Sequence, residues 1–291
     1  MMLVQRHPAA RTPAKNRGRT DHMALANILV HLDSTPRTGV RLALAVRLAE
    51  RFGARLTGLF AEVSEAYRVG VVATWPSAEH LAAVAAARAT FQVATSKLGE
   101  RAAFEEVNRG GEQEILARTT DIARTFDLVI LGQTEEGVRV PVDLPEQVIL
   151  ESGRPVLVIP YAGSYSDLGR RPLFAWNRSR GAARALHDAL PLIADGAAGL
   201  VVEARRPSEP LDEFTELVIA QLAAHRIAAR FQGVVVDEIK LMDTLLNQAA
   251  DHSADLLVIG AFDSSGFSFL GRGSGTRYIL RHMTLPTLFS H

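Results

Sequence analysis

The residues of this sequence best suited to chemistry lie near its end. There Gly260-Ala261-Phe262-Asp263 is followed, nine residues later, by Gly273-Ser274-Gly275-Thr276. Leu256–Ile259 is an apolar run that reads as a strand buried on both faces, and Ser274–Leu280 carries a short helical pattern. A helix opening at Gly273-Ser274 turns backbone N–H groups, with the hydroxyls of Ser274 and Thr276, toward whatever lies above the strand's carboxyl end. The chemistry this favours is anion binding. Gly260 is either a turn glycine or a residue that leaves room beside a ligand. Asp263 brings a carboxylate to the same place.

Catalytic patterns are missing. The nine histidines form no HExxH spacing, and the chain has no serine elbow and no Walker lysine. With no cysteine, thiolate chemistry and thiolate metal sites are excluded. A non-catalytic binding protein is the expectation, with no metal ligands assigned.

The elements that must position these residues follow from periodicity. Of 291 residues, 47% are hydrophobic, and 32 basic residues balance 32 acidic ones. That balance gives no reason to expect a nucleic-acid partner. No apolar run is long enough for a membrane span, and residues 1–23 form a basic arm without the apolar middle segment of a secretory signal; a cytoplasmic location is expected. From Asn27 onward, strands and helices alternate: strands Asn27–Leu32, Ala54–Phe60, Ala103–Val107, Asp127–Leu131 and Pro155–Ile159, with helices Val40–Phe52, Glu79–Arg101, Glu112–Arg124 and Leu144–Leu150. Ser64–Ser77 reads as irregular.

After a linker at 161–171 the alternation begins again. Strands are expected at Pro172–Trp176, Gly199–Glu203, Gly233–Val236, Leu256–Ile259 and Thr287–Phe289, and helices at Gly181–Leu192, Glu213–Arg230, Leu241–Ala250 and Ser274–Leu280. Phe126-Asp127-Leu128-Val129-Ile130-Leu131-Gly132 matches Ala254-Asp255-Leu256-Leu257-Val258-Ile259-Gly260 as an internal repeat. The fold class is therefore α/β, with two tandem doubly wound domains at 24–160 and 172–291. The exposed edges of their last strands are a natural meeting place.

Each half resembles a universal stress protein domain, and the whole resembles the bacterial tandem form of that family. The family's phosphate motif is Gly, two residues, Gly, nine residues, Gly, then Ser or Thr. Gly260, Gly273 and Ser274 match it, while Asp263 replaces the second glycine. The resemblance implies, for each half, a Rossmann-like five-stranded parallel sheet of order 3-2-1-4-5, and ATP, with or without Mg²⁺, held at the carboxyl ends of strands 1 and 4. By this likeness Asn177 and Val202 meet the base, and Gly260, Asp263, Gly273, Ser274, Gly275 and Thr276 surround ribose and phosphates. Asp263 either weakens phosphate binding or recruits a cation to it.

In the first half Asp33 matches the family's acidic position. The loop after Gly132 lacks the glycines and carries Glu135, Glu136 and Asp143, so this half is expected to be a degenerate site. The resemblance further implies a homodimer of tandem chains and a role in the stress response through ligand-dependent interaction. A protein of the same fold that binds no nucleotide, or a slow ATP-hydrolysing enzyme, are the competing readings.

Overall fold

The computed structural model describes residues 25–64, 67–69, 72–74, 76–107, 110–135, 137–205, 214–235, 241–262 and 273–291. The basic arm at 1–23 and Asp263, with the loop that follows it, lie outside the described residues.

Sequence runs rich in Val, Ile and Leu become strands covered on both sides. In β1 (Asn27–Leu32) every residue after the first is buried, as expected for a parallel strand with helices on both faces. The first half continues with α1 (Thr38–Phe52), β2 (Arg55–Ala61), a hairpin of β3 (Tyr67–Val69) and β4 (Val72–Thr74), α2 (Ala78–Ala94) and β5 (Ala102–Val107). It closes with α3 (Glu112–Ala123), β6 (Leu128–Gly132), α4 (Leu144–Glu151) and β7 (Val156–Ile159). The second half comprises β8 (Pro172–Trp176), α5 (Arg180–Ala189), β9 (Ala198–Arg205), α6 (Thr215–Ala224), β10 (Ala228–Val235), α7 (Leu241–Asp251), β11 (Leu256–Gly260), α8 (Ser274–His282) and β12 (Thr287–Ser290).

All strands except the β3–β4 hairpin join one ten-stranded sheet of order β10-β9-β8-β11-β12-β7-β6-β1-β2-β5. Its pairings are parallel except at β12–β7, where Thr287 faces Val158 and Phe289 faces Val156 in antiparallel register. The sheet is therefore an α/β structure with one mixed junction, where the last strands of the two halves meet edge to edge. Pairing the last strands of the halves satisfies backbone groups that two separate sheets would leave exposed. The core crosses that junction on both faces. Leu157, Ile159, Phe174 and Leu288 share one apolar cluster, and Val156, Val158, Leu173 and Phe289 share the other.

Three local expectations are corrected, the first being the helix expected over Glu79–Arg101, which ends at Ala94. Residues within Ser64–Ser77 form the β3–β4 hairpin. The helix expected over Glu213–Arg230 ends at Ala224, where His225 caps it and Arg226 turns to a left-handed φ of 60°. Ala228-Ala229-Arg230-Phe231 has helical propensity, yet it pairs with Ala198–Val201 as part of β10. Tertiary pairing overrides local preference there.

Candidate functional site

Of the second-half residues singled out from sequence, Asn177 follows β8, Gly260 ends β11, and Gly273, Ser274, Gly275 and Thr276 open α8, while Asp263 lies outside the described residues. Ile259 is paired with Ala175, and Ala175 and Trp176 are paired with Val202 and Glu203. Asn177 follows Trp176 and is exposed. Its Oδ1 accepts from Ser179 N at 3.2 Å, and Ser179 Oγ in turn accepts from Ala182 N at 3.0 Å, capping α5. Arg178 between them has φ of 60° and reaches Glu203, Nε to Oε1 3.4 Å. Val202 does not end its strand: β9 runs on to Arg205, and the Val202 side chain is in the core.

Gly260 serves close packing. A Cβ there would lie 2.4 Å from Gly181 C and 2.5 Å from Ala182 N, so the first turn of α5 lies directly against the end of β11. Of the two readings left open by the sequence, the space beside this glycine is filled by protein backbone.

Beyond Gly260 the chain is tied to α8. Phe262 is buried at φ of 54°, and its N–H donates to Thr276 Oγ1 at 2.9 Å. Gly273 has φ of 84°, and a Cβ on it would strike the Phe262 ring at 2.4 Å. This is a position where glycine is required twice, by conformation and by space. Gly275 faces Met242, whose Cε lies 2.8 Å from a Cβ built there. Thr276 is buried, its hydroxyl engaged with Phe262. The first N–H groups of α8 have no acceptor within a helix, and intrahelical bonding begins with Arg277 N to Gly273 O at 3.0 Å. His291, the last residue, packs edge-on against Phe262 and contacts Ala261 O through Nδ1 at 3.0 Å.

Arg277 points away from this turn and pairs with Glu146 on α4, Nε to Oε2 2.8 Å. Gln133, just after β6, donates through Nε2 to Leu280 O at 2.9 Å and Arg281 O at 3.1 Å. The carboxyl end of α8 is thus capped by the first half.

The matching place in the first half is filled by the chain itself. Asp33 is buried and its Oδ2 accepts from Arg41 Nη2 at 2.6 Å. Its Oδ1 accepts from Thr35 N at 2.9 Å and Thr38 Oγ1 at 2.7 Å. Burial would raise its pKa, but Arg41, then His31 and the hydroxyls of Thr35 and Thr38, outweigh burial and hold it well below the ordinary carboxylate range. His31 is lowered, chiefly by burial. A carbonyl can only accept, so the 2.8 Å contact of His31 Nε2 with Ala61 O places the proton of the neutral ring on Nε2.

Arg41 also occupies the space over Gly132, its Nη1 being 2.3 Å from where a Cβ would stand. The loop before α4 crosses the end of β2, with Val63 N donating to Arg139 O at 2.9 Å. What remains among Asp33, Arg41, Gly132 and Val140 is a cavity of about 20 Å³, room for about one water. Sequence reasoning identified Asp33 here and missed Arg41 and Arg139. An arginine early in α1 is legible, but its inward direction is set by packing.

Among the described residues, no group of three or more His, Asp and Glu side chains is placed to hold a metal ion. No described helix is long and apolar enough to cross a membrane.

Comparison with known proteins places this geometry in context. A model of the universal stress protein family matches residues 175–291. No curated protein sequence matches the chain. Among solved structures, a universal stress protein from Archaeoglobus fulgidus DSM 4304 superposes with a TM-score of 0.67 at 14% identity, covering 91% of this chain and 95% of that one. A functionally unknown protein from Pseudomonas aeruginosa PAO1 superposes with a TM-score of 0.58 at 17% identity, covering 92% of each chain. The chain therefore has the universal stress protein fold.

Proposed function

We propose that this protein is a tandem universal stress protein that binds an adenine nucleotide, ATP, in its second half and acts as a non-catalytic module. On this reading the strand order divides at the β12–β7 junction into two five-stranded units of order 3-2-1-4-5, at 24–160 and 172–291. The observation that carries the proposal is the lock of Phe262 N onto Thr276 Oγ1, which fixes the start of α8 over the carboxyl end of β11. Helix N-termini at strand ends favour anions through their N–H groups and dipole.

The residues fit such a ligand at both ends. Gly273 brings the backbone in at a left-handed φ, and the N–H groups of Gly275 and Thr276 would face phosphate. Ser274 would add its hydroxyl, while Asn177, exposed at the end of β8, can donate and accept at a base edge. Val202, Gly275 and the Thr276 hydroxyl support the site through packing. Asp263, when a nucleotide is present, would either repel phosphate or share a cation with it.

The first half favours a structural role. Asp33, the Val63 N–H and the space over Gly132 are all taken by its own side chains and loop. Assembly into a homodimer of tandem chains and a cytoplasmic role in the stress response belong to the same proposal.

The experiment is heat release of protein purified without added ligand, followed by nucleotide chromatography. Near-stoichiometric adenine nucleotide supports the proposal. Its absence, together with no binding in titration, favours an interaction protein of the same fold that binds no nucleotide.

A further inference from the structure

A second cleft, of about 450 Å³, lies in the first half, on the other side of the loop that fills the Asp33 region. Its size falls within the range of small-molecule sites. It is lined by Val63 and Ser64 after β2, by Ser77, Glu79 and His80 at the start of α2, by Glu112 at the start of α3, and by residues 138–142.

Polar groups with no protein partner point to a ligand. His80 is 1% exposed, and neither of its ring nitrogens has a hydrogen-bond partner among the described residues; Ser64 is 4% exposed and its Oγ also has none among them. Buried polar side chains are normally satisfied. Here two lining residues are not, and one more buried atom beside them, Glu62 Oε2, is unpartnered too.

Charge decides the class of ligand. Arg139 answers Glu79 and Arg88 answers Glu106, so Glu62 and Glu112 carry the excess negative charge among the described residues near the cleft. The N-termini of α2 and α3 oppose this with their dipoles, but both helices hold acidic residues in the first turn, Glu79 in one and Glu112 and Glu114 in the other. Burial lowers the His80 pKa, against smaller raising effects of Glu62 and Glu106. A neutral ring has one nitrogen that accepts. One His80 nitrogen and Ser64 Oγ can accept, while the carboxylates accept only and carry the surplus that tips the site toward a donor-rich ligand.

We propose that this cleft binds a small organic cation of the amine or guanidine class, its N–H groups on Ser64, His80 and the Glu112 carboxylate and its apolar stem against Val63 and Val140. The site does not depend on nucleotide binding in the second half.

The test is calorimetric titration of the full chain with butylguanidinium chloride, with n-butanol and sodium phosphate as neutral and anionic comparators. NMR of the His80 ring reports the location. The expected result is saturable binding of one butylguanidinium per chain that moves the His80 resonances, with neither comparator doing so. Ser64→Ala and Glu112→Gln should each weaken it by roughly fivefold to tenfold, the loss of one charge-assisted or neutral hydrogen bond. Glu112 is exposed at a helix start, so its variant tests the proposal even if Ser64→Ala perturbs folding. Absence of saturable binding, equal binding of n-butanol or of phosphate, unmoved His80 resonances, or undiminished affinity in Glu112→Gln would overturn it.

Discussion

Arg41 Nη2 stands 2.6 Å from Asp33 Oδ2, both side chains buried, at the end of β1. At the end of β8 the corresponding place is held by the exposed Asn177. One half of the sheet has closed its carboxyl-end crevice with a buried ion pair, whereas the described residues at the matching place in the other include the exposed Asn177 and the half-exposed Arg178, paired with Glu203.

Breaking that pair should be costly. Arg41→Met leaves a buried carboxylate without its cation and is expected to destabilise the chain by about 3–5 kcal/mol, read by urea unfolding. Acid should act on the same group. The folded pKa of Asp33 is depressed, so its contribution is present above the unfolded value of ~3.9 and is lost as pH falls toward the folded value. His31, kept neutral by burial, adds an earlier loss that begins as pH falls below its unfolded value of ~6.5, because the unfolded chain then binds the extra proton. His31→Gln should flatten the upper window and leave the lower one, as followed by circular dichroism against pH.

Gly260→Ala should destabilise by about 1–3 kcal/mol, because the added methyl meets the α5 backbone and not a flexible side chain. Thermal unfolding checks this. A neutral result would mean that α5 can move away from β11 at little cost.

Thr276→Val removes the acceptor of the Phe262 N–H while keeping shape. The expected cost is about 1–3 kcal/mol for the orphaned donor, with Thr276→Ser restoring most of it in the same unfolding assay.

Gln133 joins the two halves more firmly than Arg277 does. Gln133→Ala strips a donor from two α8 carbonyls and an acceptor from Tyr161 N, and should cost about 1–3 kcal/mol. Glu146→Gln breaks a partly exposed ion pair and should cost no more than ~1 kcal/mol. Urea unfolding of both variants measures the difference.

Much of the α/β alternation was legible because buried parallel strands read as apolar runs such as Leu256–Ile259. What failed depended on pairing partners outside the segment. Ala228–Arg230 looked helical until β9 was beside it, whereas the β7–β12 contact is the meeting of last-strand edges that the repeat led one to expect. In the candidate site, Gly273 was found by its spacing, but the reason for it, the Phe262 ring at a left-handed φ, requires three-dimensional contact. Gly260 and Gly132 occupy matching places in the repeat. Only the structure shows one filled by helix backbone and the other by an arginine.

On the proposed function, the second half of the chain takes nucleotide and the first does not. Calorimetric titration of the nucleotide-free full chain with Mg·ATP, alongside a Ser274→Ala variant, decides this. One ATP per chain is expected, with affinity reduced roughly fivefold or more in the variant. Two ATP per chain, none, or binding indifferent to Ser274 would contradict it.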